Sequence, residues 1–493
     1  MIELTFAQRE NIGFQYVLEA MRPCSPYGQE RLRELRPLTR AEQPELLRQL
    51  GNIQRVLDGE TACQRALDQL LRILMTVKMV RSTAKKCLET DLNGIELFEL
   101  KRFLLRTHEM LPHWREAQSV LRLEGIDLRD TEAALDILDP EHNRVASFYI
   151  SDAHHPLLCA LRKEKRSLEE QLRAETDDIT REALLSRRSD AAAREEAEEA
   201  RIRQAMSLAL RPHIPAMLEN MEAVGDLDLT VEKARLVRHY GGVMPSLTDQ
   251  HVVMESMTNP RILDLLRAQD KTFTPVSIAL DRGATVITGA NMGGKSVALK
   301  TLALNILLVH CGFFAFAAKA ATPLFDSMHI LSEDLEAVDR GLSSFGGEIV
   351  RFNEVVRELD AGFPFIILDE FARGTNPDEG AAIVQAVTAY LNGKHAVSVL
   401  ATHYDHVAPY ANAHYQVIGL RDLDPAQLRQ ELLAKGQREA SACISRYMNY
   451  GLYRVEGPQD CPRDAVHICS LLGMEPEILE MAGKSLEKRR KNS

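Results

Sequence analysis

A helical first half followed by an α/β domain is the fold class this sequence predicts, and three features predict it. Across roughly the first 235 residues, apolar positions recur at helical spacing and strand signals are few. Within that half, residues 157–211 hold little turn-forming Gly or Pro, as an antiparallel helical arm would. Past residue 283 the pattern changes to short continuous apolar runs that end in polar residues, which is how buried parallel strands are written. The expected division is a helical domain at 1–235 with its arm at about 157–211, an α/β domain at 236–460, and a helical segment with a tail at 461–493.

In the arm, Leu161, Leu168, Leu172 and Ile179 follow roughly heptad spacing, with charges almost everywhere else. Two long helices reversing around Ser186 to Asp190 would bury that seam; a single solvated helix is the alternative. Near the other end, Ala465, Ile468, Leu471 and Leu472, then Ile478, Leu479 and Ala482, give two short amphipathic helices joined around Gly473 to Pro476.

The chemistry begins at "VITGANMGGKSVALKT", Val286 to Thr301. Gly289, four further residues and then Gly294-Lys295-Ser296 fit the phosphate-binding spacing G-x-x-x-x-G-K-S/T. Glycines let backbone N–H groups converge on phosphate oxygens with no Cβ in the way. Lys295 reaches the outer phosphates, the Ser296 hydroxyl holds Mg²⁺, and a helix from about Val297 turns its positive end toward the anion. The β-branched run "ATVIT" before the loop supplies the strand that the motif requires, which a chance glycine-rich turn would lack.

Two further apolar runs end in chemistry-bearing residues. "FPFIILDEFARGT" ends its strand, Phe363 to Leu368, in Asp369 and Glu370. Asp369 suits the metal, and Glu370 suits the attacking water as general base. "VSVLATHYDHV" ends a strand in Thr402-His403, where an imidazole can sense the terminal phosphate. His403 and His406 have no carboxylate or cysteine cluster around them, which argues against a metal centre of their own. Upstream, "GLSSFGGEIVRFNEVVREL" opens a helix with Ser343, Ser344 and a Gly pair, then Ile349, Phe352, Val355, Val356 and Leu359 on one face. That is a second anion-seeking helix start, and it makes sense if Ser343 completes the site of a partner subunit.

"TGANMGGKS" resembles the phosphate loop of the MutS family of DNA mismatch-repair ATPases, T-G-x-N-M-G-G-K-S, in which Asn291 and Met292 are the discriminating letters. "LSSFGGEI" resembles the family's signature segment, "LDEFARGTNPDEG" its acidic run, and "ATHY" its switch-histidine motif. "HCGFFAFAAKA", "GDLDLTVEKARL" and "SPYGQERLRELRPL" extend the likeness more weakly. The family's Val-Pro is Phe316-Ala317 here, and its R-H-P is Thr258-Asn259-Pro260. The resemblance implies a core and lever domain followed by an ABC-type ATPase domain and subunit-pairing C-terminal helices; the C-terminal pair packing on its own domain is the alternative. It assigns Gly289, Ala290, Asn291, Met292, Gly293, Gly294, Lys295, Ser296 and Val297 to the nucleotide, Ser296 and Asp369 to Mg²⁺, and Glu370, His403 and Ser343 to the reaction.

Larger relatives carry a mismatch-reading domain with an F-x-E wedge, a connector, and a β-rich clamp at the lever tip. This chain reaches core-like sequence by Ser25, its expected tip "SRRSD" is too short for a clamp, and its one F-x-E, Phe352-Asn353-Glu354, lies in the helix after Ser343. The expectation is a short form lacking those domains. Two actions fit it: a homodimeric, mismatch-repair-like ATPase on duplex DNA, or the reactivation of a cobalamin-dependent aminomutase that some short relatives perform.

Composition bounds these readings. The chain's 493 residues allow two or three domains, and 45% hydrophobic with 27% charged residues describes an ordinary soluble protein. Eight scattered cysteines without C-x-x-C read as reduced intracellular thiols. No secretory signal opens the sequence, and the apolar run Leu302 to Ala318 is short for a span and carries Asn305 and His310, so a cytoplasmic protein without membrane contact is expected. A net charge of −11 argues against a dedicated nucleic-acid binder. The remaining DNA-facing candidates are Arg162, Lys163, Lys165 and Arg166 on the arm, among Glu164, Glu169 and Glu170, which implies weak, non-specific affinity.

Overall fold

A computed structural model of the chain describes residues 2–147, 149–289, 294–332, 344–419, 449–456, 469 and 474–492. It comprises two compact units, one of residues 22–35 and 51–234, the other of residues 1–21, 36–50 and 235–493. The expected boundary at 235 therefore needs correction for two N-terminal segments, which belong with the later sequence. The reason is backbone and side-chain bonding within that unit. Leu38 N–H donates to His310 O at 2.8 Å, the Asn259 amide to Ile12 O at 3.0 Å, and the Gln8 amide to Ile330 O at 3.1 Å.

The first unit is helical. Ser25 caps helix Pro26–Arg33 by accepting from Gly28 N–H, with Pro at the first turn where no donor is lost. The Ser25 hydroxyl and N–H both donate to Asp228, at 2.6 and 2.7 Å, and Cys24 N–H donates to the same carboxylate at 3.0 Å. Asp228 lies in helix Ile214–Tyr240 and is fully buried, and burial pushes its carboxyl up despite those donors. Helix Gly94–Leu121 starts with a capping box from Asn93 and Glu96 and buries Leu100, Phe103, Leu104, Met110 and Trp114.

The arm is a pair of packed helices, Pro156–Ala174 and Asp178–Leu210. Ion pairs Glu169–Arg188, Lys165–Glu195 and Arg162–Glu199 run in opposite senses along the two helices, so the pair is antiparallel. The reversal falls at residues 175–177, and the segment Ser186 to Asp190 is mid-helix. Asp177 explains the difference: its carboxylate accepts from Thr180 N–H at 2.9 Å and caps the second helix. The heptad seam ends there too. Leu161 and Leu168 are buried and Leu172 packs beside Leu184 and Ala191, but Ile179 lies past the turn and is 82% exposed.

The second unit is mixed α/β. Its larger sheet comprises β4 (Gly283–Thr288), β6 (Ser327–Leu331), β7 (Pro364–Asp369), β8 (Val397–Thr402), β9 (Ala413–Gly419) and β10 (Asn449–Arg454) in the order β10-β9-β4-β8-β7-β6. All neighbours are parallel except β10, which runs antiparallel to β9. β4, β7 and β8 are buried almost throughout, as their unbroken apolar runs require. A second sheet, ordered β1-β5-β2-β3, combines β1 (Ser246–Leu247), β2 (Val252–Met257), β3 (Val276–Leu280) and β5 (Lys319–Thr322).

Helix Ser344–Glu358 packs Phe352 and Val355 against Ile366, Leu368, Val384 and Leu400. Phe352 thus fills a core, its ring 5.2 Å from that of Phe371. The apolar run after the phosphate loop forms helix Lys295–His310, with Asn305 and His310 fully buried, and then enters β5. Among the described residues no helix is long and apolar enough to cross a membrane. In the C-terminal helix Pro476–Asn492, Ile478 is exposed; Ala465, Ile468, Leu471 and Leu472 lie outside the described residues.

Candidate nucleotide site

Three parallel strands deliver the site to one end of the larger sheet. β4 runs into Gly289, β7 ends at Asp369 and Glu370, and β8 ends at Thr402 before His403. Register pairs Thr288 with Thr402 and Asp369 with Ala401, so the three strand ends sit side by side. Ligands of open α/β sheets bind at this carboxyl edge.

Gly294 is the N-cap of helix Lys295–His310, with φ of +91°, in the left-handed region that favours glycine. A Cβ there would also lie 2.6 Å from Cδ1 of Tyr450, so the aromatic ring of β10 presses directly on the loop. The helix begins at Lys295, two residues earlier than expected. Lys295 is 4% exposed; its ammonium donates to Gly289 O at 2.7 Å and stands 3.7 Å from the Glu370 carboxylate.

The Ser296 hydroxyl donates to Asp369. Burial dominates at Asp369 and pushes its carboxyl up; the Ser296 bond opposes this. Even so, Asp369 Oδ1 is buried without a hydrogen-bond partner in the protein. His403 Nδ1 is in the same condition. Burial holds the His403 imidazole below its ordinary range, against the opposing charge of Glu370, so it is neutral at pH 7.

Glu370 has φ of +54°, an uncommon conformation for a residue with a side chain, and its N–H donates to Ala401 O at 3.0 Å. Arg373 pairs with its carboxylate at 2.8 Å. Ala372, also at positive φ, donates its N–H to Glu348 at 3.0 Å and accepts from the Tyr404 hydroxyl at 3.0 Å. The turn after β7 is thus clamped on both sides.

Beside these groups opens a pocket of about 360 Å³, lined by Gly294, Lys295, Ser296, Val297 and Glu370 at one end. Ile262, Leu266, Phe273 and Tyr450 line the other. The structure brings together Gly289, Gly294, Lys295, Ser296, Val297, Asp369, Glu370 and His403. Ala290, Asn291, Met292, Gly293 and Ser343 lie outside the described residues. Sequence reasoning missed Arg373, Tyr450 and the apolar wall. Arg373 stood within the quoted acidic run, whereas nothing local marks Ile262 or Tyr450. Among the described residues no group of three or more His, Cys, Asp or Glu gathers to hold a metal, and His406 joins no such cluster.

Known proteins are similar to this part of the chain. The family model described as MutS domain V matches residues 285–464. Endonuclease MutS2 of Acetivibrio thermocellus is 29% identical over 221 residues, 44% of this chain and 27% of that protein. The Streptococcus sanguinis protein of the same name is 31% identical over 231 residues, 46% of this chain and 28% of the relative. The Enterococcus faecalis protein is 26% identical over 381 residues, covering 65% of this chain and 47% of its own length. The chain thus spans between about a quarter and a half of the curated relatives it matches. The phosphate loop, the acidic strand end and the histidine strand end thus stand on adjacent strands inside the segment that is similar to MutS domain V.

Proposed function

We propose that this chain binds ATP with Mg²⁺ in the described pocket and hydrolyses it. The observation that carries this reading is that Lys295, Ser296 and Glu370 line one cavity while Asp369, hydrogen-bonded to Ser296, keeps a buried carboxylate oxygen without a protein partner. A hydroxyl and an unsatisfied carboxylate form the oxygen donor set that Mg²⁺ uses when substrate phosphates and water complete its shell. Ser296 and Asp369 would hold the ion, which neutralises charge on the phosphate oxygens. Lys295 exchanges the Gly289 carbonyl for phosphate oxygens. Glu370 takes a proton from the attacking water as the bond between the terminal phosphorus and the ADP oxygen breaks, the electron pair leaving with ADP. His403, neutral, is placed to hydrogen-bond the terminal phosphate. The apolar end, with Phe273 and Tyr450, has the chemistry of a base-stacking wall. Glu370→Gln tests the reading: it should retain ATP and hydrolyse it slowly, and turnover at the parent rate would remove Glu370 from the role of base.

The chain acts as a homodimer with shared sites on this reading, Ser343 completing the partner's site and the C-terminal helix joining the subunits. Mixing Lys295→Ala chains with Ser343→Arg chains leaves one heterodimer site with both lesions and one with neither, so activity should partly return. The relatives named endonuclease MutS2 support duplex DNA as the target, in a mismatch-repair-like action. A second reading, protein remodelling of a cobalamin-dependent aminomutase, is favoured by one observation: Arg162 and Lys165, two of the four basic candidates on the arm, are already engaged by Asp152, Glu195 and Glu199. Titration of matched and mismatched duplexes at two salt concentrations separates the two.

A further inference from the structure

Helix Pro260–Arg267 supplies Ile262 and Leu266 to the apolar end of the nucleotide pocket. These residues are four apart and share a face. At about 100° per residue, Asp264 falls roughly 200° from Ile262, on the opposite side. There, two tyrosines converge on it. Tyr16 donates its hydroxyl to Asp264 Oδ2 at 2.7 Å, and Tyr240 donates to the same oxygen at 2.6 Å. Burial and the neighbouring carboxylate push both phenols up, so both remain donors at any physiological pH.

The two tyrosines come from unrelated parts of the unit. Tyr16 lies on the short helix Phe14–Ala20, and Tyr240 is the last residue of helix Ile214–Tyr240. The start of the wall helix is tied down as well. Thr258 N–H donates to Phe316 O at 2.7 Å, and the buried Asn305 amide, on the phosphate-loop helix, donates to Thr258 O at 3.1 Å. Asn305 Oδ1 accepts from Phe316 N–H at 2.7 Å, and the Phe316 ring meets Tyr240 edge to face, 5.6 Å between centroids. One end of the wall helix is thus referenced to the phosphate-loop helix, and its back is held by the carboxylate between two phenols.

We infer that Asp264 is a positioning residue for the base end of the pocket: clamped by Tyr16 and Tyr240, it fixes the helix that carries Ile262 and Leu266. It therefore governs affinity for the nucleoside part of the ligand and leaves the phosphate end alone. The inference rests on the nucleotide reading above.

The test is equilibrium binding of two probes, ATP and tripolyphosphate, to the full chain by titration calorimetry. Tripolyphosphate engages only the loop end. Asp264→Leu keeps the size and removes the acceptor; it should weaken ATP about tenfold, the worth of hydrogen bonds to a charged group, and leave tripolyphosphate within about twofold. Asp264→Asn retains an acceptor oxygen and should stay within about threefold of the parent. Should Asp264→Leu fail to fold, the double variant Tyr16→Phe with Tyr240→Phe keeps both rings, removes only the hydroxyls and should show the same selective loss. Parent-like ATP affinity in the variants overturns the inference, and so does an equal loss for both probes. A parent chain that binds neither probe overturns the nucleotide reading itself, and this inference with it.

Discussion

The arm and the nucleotide site both bury charge, and they treat it in opposite ways. Arg162 of the arm has a side chain 6% exposed and reaches Asp152, Glu195 and Glu199, with Glu199 at 2.7 Å, the carbonyl of Ile150 at 2.8 Å, and the ring of Tyr149 at 3.9 Å. Each of its three guanidinium nitrogens donates, to Glu195 and Glu199 of the arm and to Asp152 and the Ile150 carbonyl just before it. At the nucleotide site Asp369 Oδ1 and His403 Nδ1 are buried and unanswered. An orphaned buried polar atom costs about 1–3 kcal/mol, and these two stand on adjacent strand ends beside Ser296 and Glu370. Charge alone marks neither region as functional. Its partners do.

The sharpest test of that contrast is the site's own chemistry. Glu370→Gln should lower ATP turnover by about 10²–10⁴-fold with ATP still bound, measured by phosphate release beside nucleotide binding. Lys295→Ala should then weaken ATP binding about tenfold or more, because a 4% exposed cation facing the loop is lost. On the arm, Arg162→Ala should cost about 2–3 kcal/mol, since it removes the buried cation shared by Glu195 and Glu199 and leaves them to Lys165 and Arg203; urea unfolding of the variant checks this, and an unchanged midpoint would break the contrast.

His310 sharpens the same comparison among histidines. Its Nδ1 faces Leu38 O at 3.2 Å and its Nε2 accepts from Phe325 N–H at 3.2 Å, so unlike His403 it is fully answered. Burial lowers it from 6.5 to about 4. The native state therefore keeps a neutral ring while the unfolded chain takes up a proton below about pH 6.5. Stability contributed by this group is complete above that pH and declines as pH falls toward 4, by roughly 3 kcal/mol in all. His310→Gln should flatten that part of the stability profile relative to the parent. The smallest effect is expected from Lys163→Ala with Arg166→Ala. Both residues are exposed, and the change should move stability by less than about 0.5 kcal/mol.

Elements that write their burial continuously were legible in the sequence. β4, β7 and β8 appear as unbroken apolar runs because both faces are covered, and the loop glycines appear because the backbone must turn where Gly294 does. The arm's turn was misplaced because Ser186 to Asp190 resembles a loop in composition, yet the helix carries it. The actual turn was signalled only by one capping aspartate, Asp177. The N-terminal segments were assigned to the wrong body because their bonds to Asn259, His310 and Ile330 span more than 200 positions, and no local pattern encodes such partners. The Tyr16–Asp264 contact, 248 residues apart, was hidden for the same reason.

The three-residue reversal at 175–177 makes the arm a handle with an exchangeable end. Its helices are locked together lower down, by Leu168, Leu184 and Ala191 and by the ion pairs around Arg162. A foreign module spliced between Glu175 and Asp178 would meet a surface turn and disturb none of that packing, provided a new cap replaces Asp177. An engineer could fit a reporter or an affinity tag there and leave both helices in register. By the same logic, lineages could trade one tip for another and keep the stem unchanged.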